Sequence, residues 1–90
     1  MSKKGKLLRL ARLLELPQDI VFDLPRITML GNIQTLIENH KGIIEYTPSL
    51  VRIRLKQGEL VIFGSDLVLG NLQPEQVLVE GTISGIRYDP

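Results

Sequence analysis

Ninety residues suit one domain and are too few for two independent cores. The chain has no cysteine, which excludes disulfide staples and thiolate metal sites and fits a reducing compartment. No apolar run approaches the roughly 18–20 residues a bilayer-spanning helix needs, and the net charge of +1 hides an asymmetry between the ends.

Residues 1–16 hold Lys3, Lys4, Lys6, Arg9 and Arg12 against Glu15, a balance of +4; the remaining residues hold six basic and nine acidic side chains, a balance of −3. Basic charge gathered at one end fits an anionic partner (lipid headgroups, nucleic acid or an acidic protein surface) or a solvated tail. Within it, Lys6 to Leu16 consists of strong helix formers with no β-branched residue. Leu7, Leu10, Ala11 and Leu14 fall on one helical stripe, with Lys6, Arg9 and Arg12 largely off it. Residues 1–16 are therefore expected to form a basic amphipathic helix that packs on its own domain, docks on a partner or lies in a membrane interface. Arg9, Arg12 and Glu15 interrupt the leucines too often for a secretory signal, so the chain is read as not exported.

Pro17 stops that helix. Residues 17–26 form a connecting edge segment, too apolar at Ile20, Val21, Phe22 and Leu24 for a free linker. Pro25 lacks an amide hydrogen and belongs at an edge or a strand start. Residues 27–90 read as an all-β domain. Ile27–Leu30 and Ile33–Glu38 flank a bend at Gly31-Asn32. Asn39-His40-Lys41-Gly42 has the composition of a hairpin turn, which predicts that Ile43–Thr47 pairs back on the preceding strand and leaves His40 solvated. In Leu50–Lys56, Val51, Ile53 and Leu55 alternate with Arg52, Arg54 and Lys56. Gly58 then reverses the chain in a short bulged loop.

Leu60-Val61-Ile62-Phe63 has no polar residue on either face. It is either covered twice or turned toward another chain, which makes Val61, Ile62 and Phe63 candidates for self-association. Leu67–Leu69, Val77–Glu80 and Thr82–Tyr88 complete a small antiparallel roll or sandwich of about seven or eight short strands. Gly31/Ile33, Gly64/Leu67 and Gly81/Ile83 repeat a glycine-then-apolar step at unequal intervals, which reads as corner-turning within one sheet rather than a solenoid.

Chemistry is sparse. His40 is the one histidine, the carboxylates are scattered, and no spacing resembles a metal loop, a nucleophile elbow or a phosphate-binding fingerprint. The expectation is a non-enzymatic chain without metal or cofactor. The Arg52/Arg54/Lys56 ridge offers a second class of function, binding nucleic acid or another anionic ligand, although alternating charges also protect an exposed strand.

The order and spacing of Gly31, Asn39-His40-Lys41-Gly42, Ile43, Tyr46, Val51/Ile53, Gly58-Glu59-Leu60-Val61-Ile62-Phe63-Gly64, Leu67/Leu69, Leu72, Glu75 and Val79-Glu80-Gly81-Thr82-Ile83 resemble the YabP/YqfC family of bacterial sporulation proteins. The basic lead resembles the YqfC branch. That resemblance implies a small protein of the mother-cell cytoplasm in an endospore former, peripheral to the membrane around the forespore and working beside a membrane-protein partner. It carries over no catalytic motif. The leading expectation is thus an interaction or assembly module, with Lys3, Lys4, Lys6, Arg9 and Arg12 contacting membrane or partner and the β domain forming a homo-oligomer or docking.

Overall fold

The computed structural model describes residues 23–90, a wholly antiparallel arrangement of six strands. The expected helix over 1–16 and most of the connecting segment over 17–26 lie outside the described residues. The strands are β1 (Arg26–Leu30), β2 (Gln34–Glu38), β3 (Gly42–Thr47), β4 (Leu50–Arg54), β5 (Glu59–Gln73) and β6 (Gln76–Asp89), in the sheet order β1-β2-β6-β5-β4-β3. The eight apolar runs of the sequence become six strands because two pairs of them continue into one another, through Gly64-Ser65-Asp66 in β5 and through Gly81 in β6.

Those junctions are where the sheet bends. The β5–β6 register shifts at Phe63/Gly64 and again between Ser65 and Val68, and such bulges turn a strand while raising its twist. The first part of β5 pairs with β4 and the end of β6, and its last part pairs with the start of β6, which in turn pairs with β2. Two half-sheets result, and they share one apolar core. Ile37, Val77, Val79 and Leu67 from one half meet Val51, Ile53, Leu60 and Ile62 from the other, with Ile83 near the fold line. Complete burial of such a side chain contributes roughly 1.5–3 kcal/mol.

The glycine corners of the sequence meet in space at the bend. Gly81 and Ile83 donate their amides to the carbonyls of Ile33 and Asn32, in the β1–β2 turn, at 3.1 and 2.7 Å. Gly64 and Leu67 donate theirs to Ser49 and Pro48, in the β3–β4 turn, at 3.1 and 2.8 Å. The Tyr46 hydroxyl adds a bond to the Leu67 carbonyl at 2.6 Å. Gly58 takes φ +80 in the β4–β5 reversal, as the sequence leads one to expect.

One connection differs from expectation. Asn39-His40-Lys41-Gly42 does not close a hairpin, because β2 pairs with β1 and β6 whereas β3 pairs with β4. The tetrapeptide instead carries the chain from one half-sheet to the other. His40 donates its amide to the Glu75 carbonyl at 3.3 Å and Lys41 donates to the Arg54 carbonyl at 2.7 Å, one on each side of the crossing. Asn39 and Gly42 do adopt the positive φ that their composition signalled, +61 and +131.

Candidate functional site

The first strand is set by its two ends. Pro25 cannot donate to a ladder, so β1 begins immediately after it, and Gly31 at φ +50 ends it in a turn closed by the Ile33 amide on the Leu30 carbonyl at 3.2 Å. Its register puts Ile27 opposite Ile37 and Met29 opposite Thr35, so Ile27 and Met29 face the same way as the core. Yet Ile37 is 0% exposed and Ile27 is 39% exposed. The covering half-sheet ends between β2 and β1, and β1 overhangs. Every residue of β1 is exposed, and Leu24, Met29, Leu30 and Ile33 extend the apolar surface around it. Pro25 was the signal for an edge; the apolar character of that edge was not read from the sequence.

The other outer strand is better protected. β3 carries a bulge between Ile43 and Glu45 and is tied across the bend by Tyr46. Bulges, short length and charged side chains are how native sheets keep an edge from recruiting a new strand; of these, β1 has short length and Arg26.

The positions singled out in the sequence for self-association are placed differently from that expectation. Val61 is 2% and Ile62 0% exposed, so both lie inside the single chain's own fold and offer no face to a second chain. Ile62 points into the core, whereas Val61 lies on the outer face in register between Arg52 and Arg87. Long arginine stems cover apolar neighbours while their heads stay in water. Phe63 is half-buried, with the Arg87 guanidinium 5.3 Å from its ring centre.

Nor do the three cations of the ridge form a common anion site. Arg52 holds both carboxylate oxygens of Glu59 at 3.0 Å and reaches Glu45 at 3.2 Å. Those bonds, Glu59's first, raise its already high pKa. Lys56 lies beyond the end of β4, 3.6 Å from Asp23. Arg54 is exposed on β4. The ridge is therefore flanked and partly neutralised by Glu45, Glu59 and Asp23, which weakens its pull on phosphate. Lys3, Lys4, Lys6, Arg9 and Arg12 lie outside the described residues.

His40 also departs from expectation, since it is 3% exposed rather than solvated. Its Nδ1 accepts the Gly42 amide at 2.9 Å, which puts the ring proton on Nε2. Burial pushes its pKa below the ordinary value, against the Gln76 backbone and the Glu75 charge, which raise it. Around the same crossing, Asp23 accepts from Asn39 at 2.9 Å and Lys41 at 3.2 Å, and these bonds hold its carboxyl below the usual carboxylate range. An open groove of about 630 Å³ adjoins the crossing, lined by Asp23, Glu38, Asn39, Gln73, Pro74, Glu75 and Gln76, with Glu38 bonded by Gln76 at 3.0 Å. Among the described residues no three His, Cys, Asp or Glu side chains are grouped to hold a metal ion, and no helix is long and apolar enough to cross a membrane.

A pH dependence follows from His40. Protonating Nδ1 would turn a donor toward the Gly42 amide. The folded chain takes up this proton less readily than the unfolded one, so the stability it confers is complete above pH about 6.5 and declines as pH falls toward the depressed folded value. Urea midpoints measured from pH 7.5 to 5 are expected to drop, and His40→Asn, which keeps an acceptor near Gly42, is expected to flatten the profile. An equally steep profile in that variant would reassign the effect. Asp23 acts in a lower window, below its ordinary range, because its carboxylate must be ionised to keep its bonds to Asn39 and Lys41.

Comparison with known proteins gives a concordant result. The family model described as the YabP family matches residues 23–90, the whole of the described β domain. An uncharacterized protein of Bacillus subtilis (strain 168), YqfC, is 47% identical over 79 residues, covering 88% of this chain and 85% of that protein. No solved structure matches the chain.

Proposed function

Since the chain belongs to the YabP family, we propose that it is a non-enzymatic interaction and assembly module of a sporulating cell. In this reading it works on the mother-cell side of the membrane around the forespore, beside a membrane-protein partner. The observation that carries the reading is the apolar surface at β1, where Ile27, Met29 and Leu30 stand exposed beside Leu24 and Ile33. Apolar surface gathered at one edge of a small domain is characteristic of docking surfaces. The cationic residues Lys3, Lys4, Lys6, Arg9 and Arg12 supply a second attachment, toward anionic lipid.

The two attachments make different demands. Basic residues near an anionic surface contribute up to about 1 kcal/mol each and are screened by salt, so the lipid contact is reversible and the protein contact supplies specificity.

Vesicles containing phosphatidylserine test the first contact. The full chain is expected to sediment with them at low salt and to be released as salt rises. Changing Lys3, Lys4, Lys6, Arg9 and Arg12 to Gln is expected to weaken binding by about 100-fold or more. Equal, salt-insensitive sedimentation by both proteins removes the lipid contact from the reading. For the protein contact, crosslinking in sporulating cells is expected to join the chain to an integral membrane protein, and Met29→Lys to abolish that product. Recovery of soluble proteins only would sink the reading.

A further inference from the structure

We propose that the amino-terminal leader, Lys6 to Leu16, docks as a helix on its own chain, against the outer face of the half-sheet formed by β1, β2, the start of β6 and the end of β5. The surface it takes is centred on Leu36 and Leu78, which stand opposite one another in register on the face turned away from Ile37 and Val79. Gly70 continues their row on β5, and Val68 in the next row is 56% exposed. The outer face of the other half-sheet is closed by its own charges. There Arg52 bonds Glu45 and Glu59, Arg87 bonds Asp89, and Val61 between the two arginines is 2% exposed. The row of Thr28, Leu36, Leu78 and Gly70 holds no charged residue, and its two leucines are half-buried. An apolar sheet face is stabilised by packing against a further element.

The leader fits this face in pattern, charge and reach. Leu7, Leu10, Ala11 and Leu14 form one helical stripe. Residues 6–16 as a helix span about 16 Å, close to the length of a five-residue strand at about 3.3 Å per residue. The rows on either side of Leu36 and Leu78 carry Glu80 and Glu38, each bonded by a neutral amide, from Gln34 at 3.2 Å and from Gln76 at 3.0 Å. Residues 1–16 bring a balance of +4 to those carboxylates. The chain also enters at the right corner, because Asp23 accepts from Asn39 at 2.9 Å, one residue beyond the end of β2 at Glu38. Leu16 and Asp23 are seven residues apart, a reach of up to about 25 Å, and Leu36 lies only about 7 Å along the strand from Glu38.

Seated by its leucine stripe, the helix turns Arg9 and Arg12 outward, where the lipid contact needs them. Ile27 and Met29, on the opposite side of the half-sheet, stay open to a protein partner. The docking thus goes beyond the two attachments and does not depend on either. The chain has no cysteine and no tryptophan, so both serve as reporters. Under mild oxidation the full chain carrying Leu10→Cys and Leu78→Cys is expected to close an internal disulfide about tenfold or more faster than one carrying Leu10→Cys and Arg54→Cys. Leu10 is mid-stripe, so its nearness to Leu78 holds whichever way the helix runs. Arg54 is exposed on the other half-sheet, and its carbonyl accepts the amide of Lys41, whose side chain pairs with Asp23, so an undocked leader reaches it as readily. The product is expected to stay at 10.1 kDa at every dilution. Independently, the fluorescence of a Leu10→Trp chain is expected to be blue-shifted. Adding Val68→Lys, at an exposed position beside Glu80 in register, is expected to return it toward that of solvated indole.

Equal crosslinking at Leu78→Cys and Arg54→Cys overturns the inference. So does a product of twice 10.1 kDa whose yield falls on dilution, which gives the face to the leader of a second copy. Emission of the Leu10→Trp chain that Val68→Lys leaves unchanged overturns it as well. No lipid or membrane protein enters these measurements, so failure of the docking and failure of either attachment are read separately.

Discussion

Gly64→Ala is expected to leave little folded protein at 37 °C, with a loss of about 3 kcal/mol or more in urea unfolding. Gly64 sits at the bend of β5, where an added methyl would meet the Thr82 carbonyl oxygen and the Leu67 side chain. The Thr82 oxygen belongs to the backbone of the paired strand, so relief requires the two long strands to separate at the fold line. Gly81, on the other side of that line, has φ +136 and would place a Cβ 2.7 Å from the Asp66 carbonyl oxygen. It combines a backbone collision with a conformation that side chains disfavour, and Gly81→Ala belongs in the same class. Gly70→Ala provides the contrast. Its Cβ would lie 3.1 Å from Glu80 Oε1, the far end of a movable side chain, and the expected cost is under about 1 kcal/mol. If all three variants unfold alike, close strand approach at the bend is not what makes these glycines necessary.

Ile62→Lys is the second large effect. Ile62 is fully enclosed between the half-sheets, and a lysine there must bury an unpaired ammonium or expel the core, at a cost of about 4 kcal/mol or more. The chain is expected to be unfolded by circular dichroism at neutral pH. Phe63→Lys, one position along, is expected to fold with a loss of about 1–2 kcal/mol. The phenyl ring lies on the outer face, half in water, and its replacement removes the Arg87 contact while adding a like charge beside it. A folded Ile62→Lys monomer, with association lost, would reinstate the sequence-level reading of this run as a contact surface.

The contrast between those two positions shows what local pattern can and cannot convey. Leu60–Phe63 is apolar on both faces, which implies double cover, and the structure supplies it. On the second face Val61 is 2% exposed, in register between Arg52 and Arg87, whose long side chains flank it. A charged residue reads as a polar surface in sequence, while its stem can roof an apolar neighbour. In Leu50–Lys56 the alternation gave β4 and its inward Val51 and Ile53 correctly, since period-two patterning is decided within the strand itself. Gly58 was legible for the same reason.

What could not be read is anything set by distant partners. Asn39 and Gly42 need positive φ whether the chain reverses on itself or crosses between half-sheets, so turn composition alone made a hairpin the natural reading. His40 became buried because the crossing runs between Glu75 and Arg54, residues well separated from it in sequence. Arg52 reads as part of a cationic ridge because nothing local in the sequence places Glu45 or Glu59 next to it. Sheet pairing puts both beside it. The candidate docking edge was half legible: Pro25 marks an outer strand, but exposure of Ile27 and Met29 depends on where the opposing layer ends.

The pairing of β2 has a consequence for how the chain is made. Its rungs, Gln34 to Glu80 and Glu38 to Gln76, join residues 46 and 38 positions apart. Closing such long loops carries an entropy cost that must be met before the contacts are gained, and chains of this kind fold slowly. During synthesis the β1–β2 hairpin leaves the ribosome without its neighbour, and Thr35 and Ile37 stay wet until the first residues of β6, Gln76 to Glu80, have followed. Nascent chains therefore pass through an interval in which one strand pair presents greasy surface on both its free edges. Truncation or stalling shortly before Gln76 would prolong that interval, and the product would be prone to aggregate or to require a chaperone.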